Sequence, residues 1–342
     1  MPRKISLTLL GIALAILLLE ALLRVLPTST YSDTGYYIDP LIITYRPHHE
    51  FRSSWGWDFS AAVSHRANNL GFLSARDFVP DGGALALIGD SFVDASMLPE
   101  AERVAAHLEQ ELGGRPVYAM GGPGSSLLDY GERMRYASEH LDIRDFVVVL
   151  ERFDLRQAYC GSGNIHGPCI ERATGKVTTS LRPPPPKAQR YLRHSALLQY
   201  LLGHLRFDPV QRLHTAWAAL SFGAAPPRSP PREFSPDELE RALLTFFERI
   251  APYRQGRLVM VFDCDRGALN RGEAGSDAGR DMAMRVAREH GALVVDLAPS
   301  FRDYLARSGR HLEVSPVDKH WNRAATRVVA RDIAATLRHG AP

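Results

Sequence analysis

The chain has 342 residues, 45% hydrophobic and 23% charged, which excludes a disordered, collagen-like or disulfide-dense protein and leaves room for one large domain or two small ones. The formal charge is +3, and three basic residues (Arg3, Lys4, Arg24) and one acidic residue (Glu20) fall in the first 26, so the remainder carries only +1. A body so close to neutral lacks the Lys/Arg excess that neutralising phosphates requires, which argues against nucleic acid as a main partner.

Ile5 to Leu19 carry no charge, follow Arg3 and Lys4, and continue to Leu26. At about 1.5 Å per helical residue, 22 residues span roughly 33 Å, the thickness of a hydrocarbon core. Glu20 and Arg24 stand one helical turn apart near the far end, where they can pair and reach the interface. Residues 1–26 are therefore expected to form a transmembrane anchor, and the basic residues ahead of it place the N-terminus in the cytoplasm and the body outside. A cleaved signal peptide is the main alternative, although no small-x-small cleavage site precedes Pro27; a buried core helix is the other.

Residues 27–81 are polar and aromatic with few periodic runs, and are expected to wrap onto the main domain rather than build a core of their own. From residue 82 the pattern changes. Ala84 to Ile88 reads as a strand, Pro99 to Leu112 as a helix stopped by Gly113-Gly114, Arg115 to Met120 as a strand, Ser126 to Leu141 as a helix and Phe146 to Leu150 as a strand. Apolar strands separated by helices predict a mainly parallel sheet covered on both faces. Two Pro-rich stretches mark an insertion at about 182–236, with a short amphipathic helix around Tyr191 to Leu205, and its composition predicts exposed, extended segments. The alternation then resumes. Ser235-Pro236-Asp237-Glu238 opens a helix as a capping box, Arg257 to Phe262 and Ala292 to Leu297 are strands, and Arg323 to Leu337 is the closing helix.

Cys160 and Cys169 bracket a Gly-rich loop that could close as a disulfide in an oxidising compartment or remain as two thiols, with Cys264 left as a buried thiol. The absence of any C-x-x-C pair argues against structural zinc. Neither metal nor cofactor is expected. Asp263-Cys264-Asp265, at a strand end, is the one constellation that could hold a divalent cation, but no phosphate loop accompanies it; lining the crevice or capping the next loop is the plainer role.

Chemistry is expected where ligand crevices lie in open parallel sheets, at the carboxyl ends of the strands. Gly89-Asp90-Ser91 follows the first strand, Gly121-Gly122-Pro123-Gly124 the second and Glu151-Arg152-Phe153-Asp154 the third, while Asp318-Lys319-His320-Trp321-Asn322 precedes the last helix. A serine nucleophile needs a base to take its proton and the base needs a carboxylate to fix its tautomer, and Ser91, His320 and Asp318 supply one of each. Asp318 could instead cap the final helix, His320 could lie at the surface, and Asp90 reads as structural.

In these residues the chain resembles the SGNH (GDSL-like) hydrolase family. GDSF (Gly89 to Phe92) matches the first block, Gly121 the second-block glycine, and DKHWN (Asp318 to Asn322) the last block. One residue separates Asp318 from His320 where the family usually has two, and this D-x-H-W form is similar to the carbohydrate O-acetyltransferase and acetylesterase branches. NNLGF, with Asn69, Gly71 and Phe72, looks like a segment of membrane-anchored members. The resemblance spans roughly Ala67 to Leu337 without the insertion. It implies a three-layer α/β/α sandwich of flavodoxin-like type at 82–342, with Ser91 as nucleophile, His320 as base, Asp318 as its carboxylate, and Ser91 and Gly121 N–H groups binding the oxyanion. The third block departs from the pattern: Phe153 stands where an asparagine usually donates to the oxyanion, and Arg152 is the candidate replacement, with an ion pair to Glu151 or Asp154 as its plainer role. The expected activity is that of an esterase or O-acyltransferase on O-acetyl groups of a cell-envelope or exported carbohydrate, with another ester as substrate left open. The contrasting reading, prompted by Phe153, is a weakly active or inactive scaffold that binds polysaccharide.

Overall fold

The structure, a computed structural model, describes residues 2–163, 166–183, 192–205, 233–273 and 277–339. They fall into two compact units, and the division differs from the linear one that composition suggests. The larger unit takes Asp33–His49, Arg66–Pro183 and Phe234–Pro342; the smaller takes Met1–Ser32, Glu50–His65 and Pro184–Glu233.

The smaller unit holds helix α1 (Pro2–Val25), of which Lys4–Val25, with mean hydropathy 2.4, is long and apolar enough to cross a membrane. Apart from Leu23, its leucine and isoleucine side chains face outward rather than into a core, which speaks against the buried-core-helix alternative. Arg24 Nε donates to Glu20 at 2.8 Å, the pairing that their spacing implies. The larger unit starts with the hairpin β1 (Thr34–Asp39) and β2 (Ile42–Tyr45), and a second hairpin, β3 (Glu50–Ser53) with β4 (Val63–Arg66), falls up to His65 in the smaller unit.

The core of the larger unit is a five-stranded sheet of β5 (Leu85–Gly89), β6 (Val117–Gly121), β7 (Asp145–Leu150), β10 (Leu258–Phe262) and β11 (Leu293–Asp296), with β8 (Gly167–Ile170) and β9 (Val177–Ser180) forming a separate hairpin. Its order is β11-β10-β7-β5-β6 and every pairing is parallel, which is the doubly wound order 2-1-3-4-5. The two-residue side-chain period sorts the strands into two cores. Leu85, Leu87, Val147, Val149, Val259 and Val261 point one way, and Ala86, Ile88, Phe146, Val148 and Met260 the other. The first face is covered by α3 (Val104–Glu111), α10 (Leu297–Ser308) and α11 (Arg323–His339), the second by α4 (Leu127–Leu141), α7 (Pro236–Ile250) and α9 (Ala278–Glu289). The result is a three-layer α/β/α sandwich. Short helices complete the set: α2 (Ser91–Asp94), α5 (Asp154–Gln157), α6 (Ala196–Gln199) and α8 (Arg266–Asn270).

Local chemistry accounts for the ends of these elements. Ser235 and Glu238 exchange the two bonds of the capping box, Glu238 N to Ser235 Oγ at 3.2 Å and Ser235 N to Glu238 Oε2 at 2.9 Å. The helix expected from Pro99 to Leu112 is interrupted: a 3-10 turn at Glu100–Glu102 gives way to an extended Arg103, whose buried guanidinium donates to Leu98 O and Leu73 O. Cys160 and Cys169 are joined as a disulfide, and Cys264 is a buried thiol. Of the insertion, Ala196–Gln199 and a wider turn at Tyr200–His204 form the short helix placed there by the sequence; 184–191 and 206–232, and with them most of both Pro-rich runs, lie outside the described residues.

NNLGF has a structural function. Asn68 Oδ1 accepts from Leu70 N and Phe72 N, Asn69 brackets Phe78 through both its N–H and its carbonyl, and Phe72 is wholly buried. Gly71 has φ +80 and a Cβ there would lie 1.9 Å from Tyr45 O, which accepts no side chain. Gly71→Ala is expected to cost roughly 2–4 kcal/mol in chemical unfolding; an unchanged midpoint would show that the loop can relax away from β2.

Candidate active site

Ser91 begins α2 directly after β5, between β6 and β7 in the sheet, which is where the strand order reverses and a crevice opens. Asp90 caps this helix through its Oδ1, which accepts from Phe92 N at 2.9 Å. His320 reaches Ser91 from a loop 229 positions along the chain: its Nε2 lies 2.8 Å from Ser91 Oγ. Its Nδ1 lies 2.6 Å from Asp318 Oδ1, and the same carboxylate oxygen accepts from His320 N at 3.1 Å. The carboxylate thus fixes the imidazole with the proton on Nδ1, leaving Nε2 to accept from the serine hydroxyl.

The one-residue spacing works because the loop is tied down at every position. Asp318 N donates to Ser315 Oγ, and His320 O accepts from Val314 N. Trp321 is buried with its ring edge-on to Phe92 at 5.0 Å. Asn322, not Asp318, caps α11, accepting from Ala324 N and Ala325 N, so the Asp318 carboxylate is left for His320.

A residue that sequence reading missed completes the support. Arg266, almost fully buried at the start of α8, donates to Lys319 O, between Asp318 and His320, pairs with Asp263 and lies over the Phe92 ring at 5.3 Å. One guanidinium therefore joins the end of β10, the helix after Ser91 and the loop bearing His320. The only signal was Asp263 three residues before Arg266. The Asp263-Cys264-Asp265 constellation does not converge on one point: Asp263 holds Arg266, the Cys264 thiol is pushed up to about 12 by burial, and Asp265 caps α8 through Ala268 N.

Two expected oxyanion donors are placed elsewhere. Arg152 is not brought to Ser91; its guanidinium is engaged by Asp265 at 2.6 Å on a half-exposed surface, while the nearer carboxylates of Glu151 and Asp154 accept from Phe153 N and Glu151 N. Gly121 pairs with Gly89, and it is Gly122 N that donates to Gly89 O, so the alternation of a parallel ladder turns Gly121 N–H away from β5. Glycine at 121 is required for packing: a Cβ would stand 2.2 Å from Asp94 N, where α2 lies against β6. Gly124, φ +73, is the glycine of this loop that lies beyond the ladder. The Phe153 side chain offers no donor and lies under the Arg156 guanidinium at 3.7 Å, and its N–H is taken by Glu151 Oε2 at 2.7 Å.

Carboxylates gather beneath the site. Burial raises Asp90, Asp154 and Glu151, the last to about 7, with Asp263 and Asp90 adding to the effect on Glu151 and the bond from Phe153 N opposing it. Asp154 also accepts from Glu151 N at 2.7 Å. At the far end of α2, burial pushes Asp94 up to about 6 despite Arg103 and the Tyr45 hydroxyl, which donates to it at 3.2 Å. Glu151 folds with a value above its ordinary 4.5, so its contribution to stability is fully present below about pH 4.5 and is lost as pH rises through about 7. Glu151→Gln and the unaltered chain are expected to unfold together near the lower limit, with the variant the more stable above the upper one; a gap independent of pH would show that Glu151 ionises freely in the fold.

No family model and no curated protein matches the chain. Similar solved structures include LAE5, an alpha/beta hydrolase enzyme from the metagenome of Lake Arreo, at 17% identity over 76% of this chain and 96% of that one, with a TM-score of 0.42. A member of the lipolytic G-D-S-L family from Veillonella parvula matches at 11% over 74% and 96%, TM-score 0.40. A catalytic mutant of Axe2, an acetylxylan esterase from Geobacillus stearothermophilus, matches at 14% over 76% and 95%, TM-score 0.41. The likeness to these hydrolases is distant, and the chemistry of the site is argued from its own geometry.

Proposed function

We propose that the chain is a membrane-anchored SGNH-type serine esterase or O-acyltransferase acting on ester groups, O-acetyl groups of a cell-envelope or exported carbohydrate foremost. The observation that carries this reading is the continuous hydrogen-bonded line from Ser91 Oγ through both ring nitrogens of His320 to Asp318. Ser91 Oγ attacks the acyl carbonyl as His320 Nε2 takes its proton, and Asp318 stabilises the imidazolium. The proton then passes to the departing alcohol, and the acyl group is left on Ser91. Water releases it as the acid; a sugar hydroxyl carries it away as a new ester. The Ser91 N–H and, in place of Gly121, the Gly124 N–H are the proposed oxyanion donors. The carbohydrate assignment draws on the D-x-H-W form of the last block.

The anchored form is supported by Glu20 of α1, which accepts from Ala196 N and Leu197 N in the same unit, bonds that cleavage after α1 would remove. Arg3 and Lys4, in the first turn of α1 and ahead of its apolar run, support an extracytoplasmic body. Phe153 supports the second reading, a scaffold of low or no turnover that binds polysaccharide, because loss of one oxyanion donor costs about 10²–10³ in rate.

Hydrolysis of a chromogenic acetyl ester by the full chain in detergent separates the two. Ser91→Ala is expected to lower kcat by about 10³-fold or more; equal rates for the two proteins would leave only the scaffold. Arg266 is a positioning residue in this account. Replacing the ion pair as a unit, Asp263→Asn with Arg266→Met, avoids an unpaired buried carboxylate and is expected to cost about 10²-fold in kcat with KM little changed. Wild-type kcat in a folded double variant would remove Arg266 from the machinery.

A further inference from the structure

Glu20 is a carboxylate inside an otherwise apolar stretch of α1, and the structure gives it a specific set of partners. Ser195 Oγ donates to it at 2.8 Å, Ala196 N at 3.0 Å and Leu197 N at 2.9 Å, beside Arg24 Nε at 2.8 Å. These bonds fix the depth of residues 195–197 along α1. Glu20 lies five residues before Val25, about 7–8 Å along the axis. With a spanning length of roughly 33 Å centred on a hydrocarbon core of about 30 Å, that level lies about 6 Å inside the edge of the core, within the roughly 5–10 Å to which an interfacial segment buries its apolar face.

The segment following this contact is two-sided. Tyr200 and His204 turn toward the rest of the smaller unit: Tyr200 OH donates to Trp57 O at 3.1 Å and stacks on Phe59 at 5.3 Å. His204 accepts from Ser29 N at Nε2, 2.9 Å, and faces Gly56 O with Nδ1, 3.1 Å, so one neutral ring joins the exit of α1, the loop of the β3–β4 hairpin and this segment. The other side exposes Leu192, Leu202 and Leu205, while Trp57 in the hairpin loop is 75% exposed. The described residues 192–205 include no acid, and two basic side chains accompany them: Arg193 belongs to the segment, and Arg24 Nη2 donates to His194 O at 3.5 Å.

We propose that residues 192–205, together with Trp57, form an interfacial pad that lies in the headgroup–acyl boundary of the bilayer spanned by α1, with leucines toward the acyl chains and arginines toward anionic headgroups. The proposal rests on the reading of α1 as a spanning helix. Apolar side chains flanked by arginine and tryptophan, held at interface depth, are what a lipid surface accommodates. Glu20 then acts as the peg that seats the pad, and its charge is met by backbone N–H groups rather than by lipid.

The test uses the full chain in vesicles of neutral and anionic phospholipid, with an environment-sensitive fluorophore on one introduced cysteine at a time: Leu14→Cys, Leu202→Cys and Leu205→Cys. The native disulfide and the buried Cys264 stay unlabelled. Relative to vesicles without nitroxide, lipids carrying it near the headgroup are expected to quench positions 202 and 205 strongly, and lipids carrying it deep in the chain to quench position 14. Quenching at 14 with none at 202 and 205 overturns the pad while leaving the anchor standing. Absence of quenching at 14 overturns the anchor, and the pad with it.

Discussion

A single buried guanidinium holds three parts of the larger unit in register. Arg266 pairs with Asp263 at the end of β10, lies over Phe92 in the helix that Ser91 begins, and donates to the carbonyl of Lys319 between Asp318 and His320. Each contact alone is ordinary. Together they place a loop from the end of the chain against a turn 229 residues earlier, and a triad separated that far in sequence exists only if something fixes both ends. An arginine suits the task because its planar fork keeps its charge and serves a carboxylate and a carbonyl at once. The burial cost of that charge is offset by the carboxylates of Asp263 and Glu313, so Asp263 of the D-C-D sequence is engaged in supporting the site.

The sheet supplies the other half of the geometry. Parallel strands in the order 2-1-3-4-5 leave a crevice beside β5, and α2 can approach β6 because Gly121 has no side chain. The neighbouring strand ends of β5, β7 and β10 carry Asp90, Glu151, Asp154 and Asp263, and Asp90, Asp154 and Glu151 influence one another there. The raised values of Asp90, Glu151 and Asp154 are what carboxyl groups show when burial removes them from water beside one another.

The sequence made the strands, most large helices and the Ser91–Asp318–His320 constellation legible because these leave local marks: apolar runs, capping residues, and short motifs at strand ends. The capping box at Ser235 is a case where four residues sufficed. What remained hidden depends on contacts without sequence periodicity. Arg103 interrupts a helix that its neighbours favour, since its guanidinium finds two carbonyls from distant segments. The division of 27–81 between two units was invisible for the same reason: neither Asp33–His49 nor Glu50–His65 carries a periodic pattern that says what it packs against. Gly121 and Arg152 illustrate the limit for site residues. Motif position placed both near the serine, but ladder alternation and the carboxylate of Asp265 decide where their N–H groups point.

The central claim is that Ser91 is a nucleophile activated by His320. Reaction of the folded full chain with a fluorophosphonate, followed by mass mapping of the adduct, tests it without knowledge of the natural substrate. The account predicts a single phosphonylated peptide containing Ser91, lost on denaturation and in His320→Ala. An unmodified Ser91 in folded protein, or equal labelling of the native chain and of His320→Ala, would contradict it.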